Sequence, residues 1–135
     1  MADGKLKLTV VTPEHAVVDG VACDEVTLPT LNGEIGILPG HTPLITLLGI
    51  GVVGYKDAGK KTAIAVREGF AEISGDVVRV LADRAADKEH VDAAAARRER
   101  DEAEKSHLAV VGDAELEAAN ADQGYAEAKL QVAGA

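Results

Sequence analysis

The chain changes its hydrophobic period once, near residue 85, and that switch limits the folds open to it. Up to about Ala82 the signals are those of strands. Leu6, Leu8 and Val10 alternate with Lys5, Lys7 and Thr9, the period of two that marks a half-buried strand. Ala16 to Val18 form a short apolar run ended by Asp19-Gly20, which reads as a hairpin turn. Val26 and Leu28 alternate with Glu25 and Thr27. Leu44 to Ile50 and Val52 to Tyr55 follow, split by Gly51. Asp57-Ala58-Gly59 turns the chain into Thr62 to Val66. Ser74-Gly75-Asp76 divides Gly69 to Ile73 from Val77 to Leu81. Turn signals recur at roughly 8–12-residue spacing with no helical stretch between them, the pattern of an antiparallel sandwich or flattened barrel, of about ten short strands.

Beyond Asp87 the composition changes. Of the 14 glycines, only Gly112, Gly124 and Gly134 lie there, and Ala, Glu and Arg dominate. Asp87 or a neighbour is placed to cap a helix, with Glu89 in its first turn complementing the dipole. That helix is expected to reach about Val110. Gly112 ends it, Asp113 caps the next, and the second runs to about Val132. So short a connection makes an antiparallel hairpin. The fold class is therefore α+β: a β-sandwich domain over residues 1–84 and a helical hairpin over 85–135. The hairpin stripes are small, Ala96, Ala103, Ser106 and Val110 against Ala114, Ala118, Ala121, Tyr125 and Ala128. At roughly 25 cal/mol per Å² an alanine methyl contributes little, so this hairpin is marginal alone and must dock on the β domain or on a partner.

The bulk numbers exclude several functions. A formal charge of −9 argues against binding nucleic acid or inserting a polybasic anchor in a membrane. Cys23 is alone, so no disulfide framework and no zinc ribbon is expected. Neither a signal-peptide pattern nor a membrane-span run is present. Gly49-Ile-Gly-Val-Val-Gly54 matches a dinucleotide fingerprint, but the helix that would meet the pyrophosphate is replaced by a strand. Gly54 to Lys61 nearly matches a phosphate loop, yet Lys61 occupies the Ser/Thr position and no helix follows, so a basic hairpin tip is expected. The four histidines show no metal-ligand spacing, and no nucleophile–base pair stands out. No catalytic residue and no metal site is expected.

The special residues concentrate between Asn32 and Leu47. Asn32-Gly33 signals a tight turn, Ile35 and Ile37 are strand residues, and Pro39-Gly40 suits the middle of a type II turn that presents His41 at its exit. This loop shapes a contact surface. Arg97, Arg98 and Arg100 lie amid acidic residues, either a solvated helix face or a patch for an acidic partner segment. From residues alone, a β-sandwich adapter or ligand-binding module with a helical hairpin remains open.

The stretch Gly33-Glu-Ile-Gly-Ile-Leu-Pro-Gly-His-Thr-Pro-Leu44 resembles the signature of the epsilon subunit of bacterial F-type ATP synthase. Val10-Val-Thr-Pro-Glu14, Arg67-Glu-Gly-Phe70 and Val80-Leu-Ala-Asp83 are similar to other landmarks of that family. The resemblance implies a non-catalytic rotor subunit of the proton-translocating enzyme. It would be held peripherally at the cytoplasmic face of the bacterial membrane. The partners implied are the gamma subunit, the c ring and, with the hairpin extended, the alpha/beta catalytic head, where the hairpin inhibits ATP hydrolysis. Glu34, Ile35, Pro39, Gly40 and His41 are implied as c-ring contacts. Some members bind ATP through a segment matched here by Val91, Asp92 and Ala96. Ala95 replaces its arginine and removes the cation that would meet phosphate, so no cofactor is expected. The second helix is acidic, which implies weak inhibition.

Overall fold

The computed structural model describes residues 4–109 and 112–134. Its elements are β1 (Leu6–Val11), β2 (Ala16–Cys23), β3 (Glu25–Thr30), β4 (Gly33–Ile37), β5 (Leu44–Asp57), β6 (Lys60–Ser74) and β7 (Val77–Asp87). A 3-10 turn (Lys88–His90) then leads to α1 (Ala93–Ala109) and α2 (Asp113–Ala133). The β-then-hairpin architecture is the one read from the sequence. The strands number seven, in the order β2-β1-β7-β6-β5-β3-β4, because several expected breaks are not breaks. Gly51 lies within β5, and Arg67-Glu68 lies within β6. Asp19-Gly20 is a bulge inside β2, where the pairing with β1 shifts register, and not a hairpin turn. One pairing, β1 with β7, is parallel.

The sheet folds over itself along a single line. In β5 the core-facing residues are Leu48 and then Val53. In β6 they are Ile64 and Val66, then Ala71 and Ile73. In β7 they are Val78, Val80 and Ala82, with Ala85 beyond them. Each strand breaks its alternation once. The breaks coincide: Leu48 pairs with Gly69 and Gly69 with Ala82, while Ile50 pairs with Arg67 and Arg67 with Arg84. One corner residue per strand, in register across three strands, bends the sheet into two layers. At this corner Glu68 has φ +58° and Gly69 has φ +123°. The layers enclose an aliphatic core that includes Leu6, Leu8 and Val10 of β1, Val26 and Leu28 of β3, and Ile37 of β4.

The far ends of the two layers are tied together. Lys5 Nζ lies 2.6 Å from both Asp24 Oδ1 and Asp57 Oδ1. The amide of Asp24 donates to the carbonyl of Lys56 at 2.7 Å, and that of Lys7 to the carbonyl of Asp76 at 2.9 Å. The Gly40 amide donates to Asp76 Oδ1 at 2.7 Å. The β4–β5 loop and the β5–β6 and β6–β7 turns therefore share one end of the sandwich.

The hairpin packs on the outer face of the sheet through α2. Tyr125, Ala128 and Val132 meet Ala65, with Ile50, Val52, Ala63 and Val91 around them. Ala119, Ala126 and Leu130 are also buried on α2, which packs against α1, and among the described side chains Ala96 and Ala103 are the buried alanines of α1. Ala118, expected in the stripe, is exposed. Val110 lies outside the described residues, as do the side chains of Ser106 and Ala114. The first helix starts later than expected. Asp87 caps only the 3-10 turn, accepting from the His90 amide at 3.2 Å. The cap of α1 is Asp92, whose Oδ1 accepts from the Ala95 amide at 3.1 Å.

A candidate docking surface

The structure bears out the turn chemistry of the Leu38–His41 loop. The His41 amide donates to the Leu38 carbonyl at 3.1 Å, and Gly40 takes φ +84°. Proline at the second position and a positive-φ glycine at the third make this a type II turn. His41 Nδ1 lies 2.6 Å from the Thr42 carbonyl, so the ring folds back on its own loop. Pro39 is half-buried, Gly40 is exposed, and Leu38 beside them is 58% exposed. Glu34 and Ile35 are not part of this turn. They lie within β4, paired with Pro29 and Leu28 of β3. Ile35 packs against the core, while Glu34 is exposed and shares a shallow cleft of about 330 Å³ with Glu25, Lys56 and Lys61. The five expected contact residues are thus spread along an edge strand and the loop that follows it.

A surface that sequence reasoning missed lies on the outer side of the other layer. Leu47 of β5 pairs with Phe70 of β6, Phe70 with Leu81 of β7, and Leu81 with Val11 of β1. Leu47 is 62% exposed, Phe70 43% and Leu81 39%, and Ile45, two residues before Leu47 in β5, is 70% exposed. Direct pairing brings these side chains into one row across neighbouring strands. Apolar residues gathered in this way on a small domain mark an interaction site. The signal was present in the sequence, since β5 and β6 carry apolar residues on both faces. Without the corner it could not be told which face lay inward.

The three residues of the degenerate nucleotide segment all have structural duties. Val91 packs into the cluster between α2 and the sheet, Asp92 caps α1, and Ala96 is buried. On α1, Arg97 and Arg98 are exposed, and Arg100 lies 3.4 Å from Asp101. The fingerprint from Gly49 to Gly54 runs inside β5, and Lys60-Lys61 begins β6 directly after the two-residue turn Ala58-Gly59. No helix follows either motif. Among the described residues no group of three or more His, Cys, Asp or Glu could hold a metal ion.

Two groups beside these surfaces titrate away from their ordinary values. Hydrogen bonds from Lys5 and from the Ala58 amide hold Asp24 below the usual carboxylate range. Asp87, bonded to the His90 ring, raises the histidine above its ordinary value.

Residues 5–88 match the family described as ATP synthase, Delta/Epsilon chain, beta-sandwich domain. The chain belongs to this family. It is 44% identical over 128 residues to the ATP synthase epsilon chain of Synechococcus sp. (strain JA-2-3B'a(2-13)), covering 95% of this chain and 93% of the relative. It is 50% identical over 98 residues to the epsilon chain of Carboxydothermus hydrogenoformans, covering 73% and 72%. Among solved structures, a chain of the Euglena gracilis mitochondrial ATP synthase, OSCP/F1/c-ring, superposes with a TM-score of 0.81 at 22% identity, covering 98% of this chain and 82% of that one. A chain of the Tetrahymena thermophila mitochondrial ATP synthase central stalk/c-ring gives 0.65 at 14% identity and 96% coverage of both. These two show the shared fold. This epsilon-type chain is a non-catalytic subunit of ATP synthase, and no helix among its described residues is long and apolar enough to cross a membrane.

Proposed function

We propose that this epsilon-type chain is the rotor-stalk subunit that couples gamma to the c ring. The observation that carries the reading is the exposed row Leu47–Phe70–Leu81 with Ile45, an apolar surface on the layer opposite the hairpin's seat. This row is the face for gamma. The β4 edge and the Leu38–His41 turn form the foot for the c ring, with Glu34 and His41 as its polar contacts. The subunit is held at the cytoplasmic face of the bacterial membrane through these two contacts. Gentle isolation of the synthase from native membranes tests the reading. The chain co-purifies with gamma and c subunits if it holds, and its absence from the intact complex would sink it.

The hairpin is the mobile part in this reading. Its seat on the sheet is built from one tyrosine, one isoleucine, three valines and three alanines. A seat of that size opens before the sandwich unfolds. Released, the hairpin extends toward the alpha/beta head and inhibits hydrolysis, with Arg97, Arg98 and Arg100 facing acidic partner segments. Hydrolysis by the reconstituted synthase, with the full chain and with a chain ending at Asp87, tests this part. The shorter chain gives the faster hydrolysis. Equal rates would remove the inhibitory role and leave the stalk role standing.

A further inference from the structure

The sheet face beneath α2 carries two arginines in direct cross-strand register, Arg67 on β6 and Arg84 on β7. Like charges placed opposite one another destabilise a sheet unless counter-charges are near. Here the hairpin brings them. Arg67 Nη1 lies 2.7 Å from Asp122 Oδ1 of α2, and the Arg67 side chain is only 19% exposed. Both arginines line a cleft of about 270 Å³ whose other wall holds Asp122, Tyr125, and Glu99 and Glu102 of α1. Glu99 Oε2 also takes Lys129 Nζ at 2.5 Å, and that ammonium stands 4.8 Å from the Tyr125 ring centre. Charge thus crosses from sheet to α2 at Asp122, and from α2 to α1 at Lys129.

The apolar part of the same seat is thin, and Gly124 beside Asp122 contributes no side chain to it. A β-carbon there would stand 3.4 Å from Ile50. The Arg67–Asp122 pair, whose aspartate side chain is 58% exposed, adds an ionic contact to this apolar seat. Arg84 also lines a second cleft of about 210 Å³ with Glu14 and Asp83 of the sandwich itself. Carboxylates thus lie on both sides of this arginine, and those of the sandwich stay beside it when the hairpin leaves.

We propose that the arginine pair Arg67/Arg84 with Asp122, Glu99 and Glu102 is an ionic latch that makes hairpin release sensitive to ionic strength. The inference rests on the mobile-hairpin reading and adds what controls it. The Arg67–Asp122 pair, and the more exposed charges of Arg84, Glu99 and Glu102 that line the same cleft, attract less as salt shortens the screening length, which falls to about 3 Å at 1 M. Charged segments of a partner act on the latch in the same way, by competing for the arginines.

Hydrogen exchange on the full chain at about 0.02 M and about 0.5 M sodium chloride tests the latch, with β6 amides as the internal reference. Exchange in residues 122–132 rises about three- to fivefold at the higher salt, while β6 is unchanged. Arg67→Gln shows the raised rate already at low salt and loses most of the salt response, as does Asp122→Asn. The two together add little to either alone, and the exchanged pair Arg67→Asp with Asp122→Arg recovers protection. If α2 opens ahead of β6 with no salt response, or Arg67→Gln keeps the full response, the latch is overturned and the mobile hairpin stands. If α2 and β6 exchange at one rate at every salt, both ideas fail.

Discussion

Replacing Gly69 by alanine probes the corner that folds the sheet. A β-carbon built there lies 2.0 Å from the Leu81 carbonyl oxygen and 2.9 Å from both the Leu81 carbonyl carbon and Ala82 Cα. All three are backbone atoms of the paired strand, so no side-chain rotation relieves the overlap. At φ +123° the backbone is also closed to an L side chain. Strain of this kind costs about 1–3 kcal/mol. Pushing β7 aside costs about 1–3 kcal/mol more, and each ladder hydrogen bond broken adds about 1 kcal/mol. The total with one such bond lost, about 3–7 kcal/mol, is a large part of the 5–15 kcal/mol that typically holds a domain together. Urea unfolding followed by circular dichroism is the assay. Gly69→Ala loses a third or more of its midpoint or does not fold. Gly36→Ala is the control, because its β-carbon meets nothing within 4 Å. The control stays within about 1 kcal/mol of the parent. Equal midpoints for the two variants would refute the corner.

Three further outcomes follow from neighbouring features. Glu68→Gly removes a non-glycine residue from φ +58° and stabilises the sandwich by about 1 kcal/mol, read as a higher midpoint in the same assay. Tyr125→Ala deletes the largest side chain in the seat of α2, which is 8% exposed. It weakens docking by about 3 kcal/mol, seen as faster exchange in α2 with the sandwich midpoint little changed. For His90, whose folded value is raised by Asp87, the stabilisation of the 3-10 turn is fully present below the unfolded value near 6.5. It is lost as pH rises through the folded value. NMR titration of the imidazole shows the raised value in the parent, and Asp87→Asn lowers it.

The two-part architecture was legible because its signals are local. Alternation at Leu6–Val10, the turns at Pro39-Gly40 and Ala58-Gly59, and the loss of glycine after Asp87 each follow from a few adjacent residues. The corner was not legible. It rests on Glu68 in a positive-φ conformation that glutamate does not advertise, and on coincidence of register between residues far apart in sequence. Hence β5 and β6 read as four short strands. Asp19-Gly20 has the chemistry of a turn, yet pairing with β1 on both sides makes it a bulge. The cap was expected at Asp87 or a neighbour, and it falls on Asp92, five positions further on, after Val91 has packed against the sheet. Of the candidate surface, the polar residues around His41 stood out as unusual loop chemistry. The row of Leu47, Phe70 and Leu81 did not, because an exposed leucine in a strand looks the same as a buried one until both layers are in place.

The claim that this row is the stalk-facing surface has one direct measurement. Phe70→Asp and Leu47→Asp change exposed side chains and leave the core untouched, so both variants keep the parent midpoint. Their affinity for synthase depleted of this subunit is then measured by surface binding. The account predicts a loss of about a hundredfold or more for each, the scale of a buried aromatic or aliphatic anchor at an interface. Binding at parental affinity by both folded variants would contradict it.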